Sequence, residues 1–264
     1  MKLPTLAILV LLAAGCVPSG REVTAPSAGR PADAQPAQTT VIALQIYEVA
    51  VPRGRISDDV PLWFGLDERA TGVATYDVLW ANGFRVGVGG AGELDAIREA
   101  LRAEQAVRAQ VVPPLGATRH TYYADRPPAG EQTLFWFDER KRSHGRTFAD
   151  VQNRLAIEFA PGRDDTVRLT ITPVVRSAVG RTRVTATGED YVVEEVRDEA
   201  AFDLDARLTL PLGGFALVAP SPDADRATSL GHAFLTSGDA APRTETALLI
   251  VPQRVGLRQL RGSR

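Results

Sequence analysis

Gly87, Gly89 and Gly92 stand in GxGxxG spacing, with Gly90 between them, and the pattern follows a predicted strand and opens a predicted helix. In a dinucleotide-binding unit such glycines let a pyrophosphate approach a helix N-terminus. The rest of that unit is missing. An acidic residue should follow about 20 residues on, and the chain there reads Val111-Val112-Pro113-Pro114. Glu93, in the first helical turn, would also repel phosphate. The glycines are therefore expected to serve a flexible strand-to-helix turn rather than a cofactor. His120, His144 and His232 lie far apart with no HExxH or CxxC, so no metal set is legible. No GxSxG occurs, and neighbours such as Ser143 and His144 on a strand point to opposite faces. Asp58-Asp59 and Asp164-Asp165 read as a helix cap and a turn. No catalytic residue, cofactor or metal is expected.

The aromatic runs Tyr122-Tyr123 and Phe135-Trp136-Phe137 carry the remaining chemistry. Adjacent aromatics on a strand place one ring in the core and one at the surface, which makes packing their first role. The second is a ligand-stacking platform, with Arg119 or Arg126 lining a pocket beside Tyr122 and Trp136. A membrane-interface girdle would use the same residues. The cluster Arg140-Lys141-Arg142 beside Arg146, flanked by Asp138 and Glu139, reads as a solvated hairpin tip.

These residues sit in a chain of 264 residues, long enough for one large domain or two small ones. Apolar residues make up 44% and charged residues 23%, a globular balance that excludes wholesale disorder and a multi-span membrane protein. Thirty basic residues face 32 acidic ones, interspersed, so no nucleic-acid footprint is present.

Residues 1–15 hold one positive side chain, Lys2, then an apolar stretch and small residues, the pattern of a secretory signal peptide. The lone cysteine, Cys16, follows Leu12-Ala13-Ala14-Gly15, and this resembles the lipobox of bacterial lipoproteins. The resemblance implies cleavage after Gly15, acylation of the Cys16 thiol with diacylglycerol, and a lipid-anchored first residue. Val17 after the cysteine implies the periplasmic face of the outer membrane. Residues 17–40 hold four prolines, five alanines and no aromatic residue, so residues 16–40 read as a lipidated cysteine and flexible tether. No other segment reaches the roughly 18 apolar residues of a membrane helix.

The body is expected over residues 41–255, with a frayed tail at 256–264. Strands are predicted at 41–51 and 84–88, and helices from Pro61 onward, over 73–80 and over 93–108. Beyond Gln110 the segments 117–124, 132–138, 154–160, 166–176, 190–196, 203–210, 214–219 and 245–251 are short, β-branched or aromatic and separated by turns. The fold class is α+β: a short N-terminal α/β portion, then a mostly antiparallel β body.

The order of these elements resembles the C-terminal domain of bacterial secretins. Ala-Leu-Gln-Ile-Tyr-Glu-Val at 43–49 is similar to the opening strand, with Glu48-Val49 as its Glu-Val pair. Residues 93–110 with Val111-Val112-Pro113-Pro114 resemble the helix and proline-ended strand, residues 153–175 the paired strands, residues 210–217 the Gly-Gly strand with Gly213 and Gly214 at its bend. Residues 244–255 resemble the closing strand, where Thr244-Glu245 precedes an apolar run and Pro252-Gln253-Arg254. The resemblance implies secretin-like topology and a non-enzymatic, lipid-anchored envelope protein that scaffolds or self-associates through sheet edges. Its partners would be the membrane, through the lipid, and copies of itself or other envelope proteins. A ligand-binding lipoprotein using Tyr122, Trp136 and Arg119 is the alternative.

Overall fold

The computed structural model describes residues 40–114, 117–187, 190–237 and 243–256. Strand β1 (Thr40–Pro52) carries apolar side chains on both faces, Leu44 and Ile46 on one, Ala43, Tyr47 and Val49 on the other, and all five are buried. Such a strand needs cover on both sides, and the chain is built to supply it. Helices α1 (Val60–Trp63) and α2 (Val73–Ala81) lead to β2 (Phe84–Gly89), then α3 (Leu94–Ala100) and β3 (Val107–Val111). Strands β4 (His120–Asp125), β5 (Gln132–Phe137), β6 (Ser143–Phe148), β7 (Val151–Pro161), β8 (Thr166–Thr187) and β9 (Asp190–Ala201) follow. Last come β10 (Ala206–Pro211), β11 (Phe215–Pro220), α4 (Leu230–Leu235), β12 (Thr236–Ser237) and β13 (Thr244–Gly256). The fold is α+β and mostly antiparallel sheet.

The first sheet runs β2-β11-β13-β1-β3, with β12 beside β13. One of its faces, through Leu44, Ile46, Val86, Ala216, Val218, Leu248 and Ile250, meets the inner face of the second sheet, β10-β8-β7-β4, through Leu155, Ile157, Phe159, Val167, Leu169 and Ile171. The strict alternation of Val167, Leu169 and Ile171 with Arg168 and Thr170 turns one face of β8 inward. The opposite face of the first sheet, through Tyr47, Val49, Phe215, Leu217 and Leu249, is covered by Trp63 and Leu66 near α1 and by Ile97 and Leu101 near α3. Three layers result, with the first sheet in the middle.

Gly87 and Gly89 lie within β2 itself. A Cβ on Gly89 would stand 2.2 Å from the Phe215 ring, so the glycine pair leaves room for apolar packing on the helix-covered face. Gly213, with φ of +87°, makes the bend before β11.

The helix expected over 93–108 ends at Ala100. Arg102 turns left-handed with φ of 51°, and residues 107–111 pair with Leu44–Glu48 as β3. The apolar spacing that supports the helix stops at Leu101, and pairing with the edge of β1 outweighs helix propensity beyond it. Residues 244–251 do not close the sheet from an edge: β13 lies inside it, between β1 and β11. Helix α4 has too few periodic positions to be legible in the sequence.

Strand β8 outruns its neighbours. β7 pairs with it from Val167 to Ser177 and β10 from Thr166 to Ile171. After a register shift between Arg176 and Gly180, β8 pairs with β9 alone, from Gly180↔Arg197 to Thr187↔Asp190. Among the described residues this outer half is a two-stranded ribbon reaching about 25 Å at roughly 3.3 Å per residue.

Candidate functional site

Arg119, Tyr122 and Trp136 are not brought into one pocket. Arg119 precedes β4 and reaches Glu158 of β7 at 3.2 Å. Tyr122, on β4, rests against the core between the sheets, and burial, with Glu48 and Asp125 adding to it, pushes its hydroxyl pKa up. Trp136 belongs to the separate β5–β6 hairpin, where it stacks on His144 at 5.5 Å between ring centres and meets the edge of Phe202 at 5.0 Å. The expected aromatic and arginine pocket is thus divided, because β4 and β5 lie in different sheets. Arg126 joins the two main sheets instead, as its guanidinium pairs with Glu48 of β1.

The β5–β6 tip is organised by Asp138. Its carboxylate accepts the backbone N–H groups of Arg140 and Arg142, each at 2.9 Å, and Nε of Arg142 at 2.7 Å. His144 Nε2 lies 3.1 Å from Oδ2, the oxygen that also takes Arg142 Nε, while the backbone N–H groups go to Oδ1. The Arg142 backbone N–H, with the Arg142 and His144 side chains, holds this carboxyl well below the usual carboxylate range against the opposing effect of desolvation. The basic cluster is the hairpin tip that the sequence suggests. Around it, Trp136, Asp138, Glu139, Arg140, Arg142, His144, Phe202 and Asp203 line an open surface depression of mixed charge.

A second hollow, of about 380 Å³, opens where the two sheets part at the start of β1. Its wall is formed by Val41, Ile42, Pro113, Pro114, Ala117, Phe159 and Pro161, with Arg119, His120 and Arg254 as its polar members. Arg254 of β13 forms an ion pair with Asp165 in the β7–β8 turn, which ties the sheets together at this end. Of the residues expected to bind a ligand, only Arg119 lines it.

The histidines occupy three places. His120 meets Phe159 edge to face at 5.7 Å, His144 stacks on Trp136, and His232 Nδ1 lies 3.1 Å from the Ala224 carbonyl. Among the described residues no group of three or more His, Cys, Asp or Glu converges on a metal-sized space. No helix among them is long and apolar enough to cross a membrane. Gly15 and Cys16, with the signal segment and the tether up to residue 39, lie outside the described residues.

Two of the three buried charged residues among the described ones, Arg85 and Glu245, tie loops to the first sheet and are unmarked by sequence periodicity. Arg85 of β2, 7% exposed, lies between Trp63 and Trp80, 4.2 and 5.1 Å from their ring centres, and holds Glu68 through Nε and Nη2. Glu245 of β13 is 2% exposed and gathers the 54–57 loop around its carboxylate. The only signal for Glu245 is the Thr-Glu pair already noted; Arg85 has none beyond a charge inside an apolar strand. Set against protein families, curated proteins and solved structures, the chain has no match.

Proposed function

We propose that the chain is a lipid-anchored envelope component, held at the periplasmic face of the outer membrane through Cys16, that assembles with copies of itself as a secretin-like building block. Its role is structural, not catalytic. The observation that carries this reading is the β8–β9 ribbon, paired beyond Gly180 only with itself among the described residues. An isolated two-stranded ribbon is marginal in water, and both its outer edges carry open hydrogen-bonding groups. A neighbouring copy would supply the missing strands. Edge strand β3, whose Val107 is 73% exposed, offers a further pairing surface.

The test is the mass of the full chain by light scattering after extraction in mild detergent. A discrete, detergent-stable oligomer that collapses to monomer when residues 181–196 are replaced by a short turn is the expected result. A monomeric full chain, or an oligomer indifferent to that replacement, would overturn the assembly reading. Membrane fractionation of Cys16→Ala tests the anchor separately, because loss of the lipid should release the body without altering its fold.

A further inference from the structure

We infer that the hollow beside Arg119 is a binding site for a small apolar monocarboxylate. Its wall is apolar and stiff: three prolines, Val41, Ile42 and Phe159 contribute surfaces with little rotamer freedom to lose on binding. A volume of about 380 Å³ falls within the range of small-molecule sites. The polar residues of the lining are two arginines and a histidine, and no carboxylate is among them. The depression around Trp136 differs, for Asp138, Glu139 and Asp203 stand there beside Arg140 and Arg142. Guanidinium N–H donors with no carboxylate beside them in the lining therefore favour an anion at the first site, and no single sign prevails at the second.

The arginines also limit the charge of the ligand. Arg119 meets Glu158 through Nε and Arg254 meets Asp165 through Nη2, and both acids lie outside the lining. Each guanidinium, with five N–H donors, keeps others to offer, while the two paired acids cancel the formal charge of the two arginines. That balance suits a carboxylate with one charge better than a phosphate with two. An apolar body against Phe159 and the prolines, with its carboxylate between Arg119 and Arg254, satisfies both halves of the site. This binding is independent of self-association.

Fluorine NMR of para-trifluoromethylbenzoate with the full chain in nonionic detergent tests it, with protein-free micelles as blank. The benzoate should bind, while the matching benzyl alcohol, the aryl phosphate and trifluoroacetate should each bind at least about tenfold more weakly. Arg119→Gln and Arg254→Gln should each weaken the benzoate by about tenfold, the expected effect of losing one charged hydrogen-bonding partner. Ala117→Trp should fill the hollow and abolish binding with an unchanged circular dichroism spectrum. No binding at millimolar benzoate, equal binding of the alcohol, or wild-type affinity in the double arginine variant would overturn the assignment.

Discussion

The carboxylate of Glu245 accepts the backbone N–H of Ser57 at 3.1 Å on one oxygen and the Ser57 hydroxyl at 2.6 Å on the other. The same carboxylate takes the N–H groups of Gly54 and Ile56, so one side chain at the start of β13 fixes the loop that leads into α1. Glu245→Gln places an amide donor against these N–H groups and should cost about 2–4 kcal/mol. Ser57→Ala removes one hydroxyl and should cost about 1–2 kcal/mol. Urea midpoints of the two variants check this, and a shift in Glu245→Gln no larger than that of Ser57→Ala would contradict it.

Arg85 is held by ring faces as well as by Glu68. A lysine retains the charge but neither the planar stacking between Trp63 and Trp80 nor the two-nitrogen contact with Glu68. Arg85→Lys should lower stability by about 1–2 kcal/mol and change tryptophan emission, since two of the three tryptophans border the guanidinium. Unaltered emission would mean that the rings do not depend on it.

The glycine run separates packing from phosphate binding by a simple contrast. Gly89→Ala drives a methyl into Phe215 and should destabilise by about 1–3 kcal/mol. At Gly92 nothing lies within 4 Å of an added Cβ, so Gly92→Ala should change stability by under about 0.5 kcal/mol. A phosphate-cradling loop would need both glycines, and thermal melting of the two variants distinguishes the cases.

Asp138 makes the β5–β6 tip sensitive to acid. Its carboxyl is held below the unfolded value of about 3.9, so the stabilisation is complete above that value and is lost as the pH falls through the lower folded one. Amide protection at Arg140 and Arg142 should therefore persist at pH about 5 and decline in strong acid. Asp138→Ala should lack that protection at every pH. Hydrogen exchange at those two amides provides the readout.

Much of the layer order is legible in residue types. The unbroken apolar runs in β11 and β13 announce strands covered on both faces, β1 is apolar on both faces though Gln45 and Glu48 interrupt it, and the alternation in β8 announces a strand covered on one. β3 is not legible, because its residues become a strand only by meeting the edge of β1. The reach of the β8–β9 ribbon is hidden as well, since residues 178–201 alternate too weakly to mark where pairing stops. Arg119 can be picked out as a candidate, but its partners in the hollow come from four separate stretches of chain that only the tertiary fold gathers.

β8 is a single 22-residue strand that belongs to the core at one end and to the ribbon at the other. A pull applied to the ribbon passes along one backbone into the ladder with β7, where Val167 to Ser177 face Pro161 to Val151. Force along the strands loads such a ladder in shear, so its hydrogen bonds resist together instead of peeling one by one. The protein thus has a mechanically stiff axis along the β7–β8 ladder, from the hollow's end of the second sheet to the base of the ribbon, and extension along it should meet far more resistance than extension across the sheets.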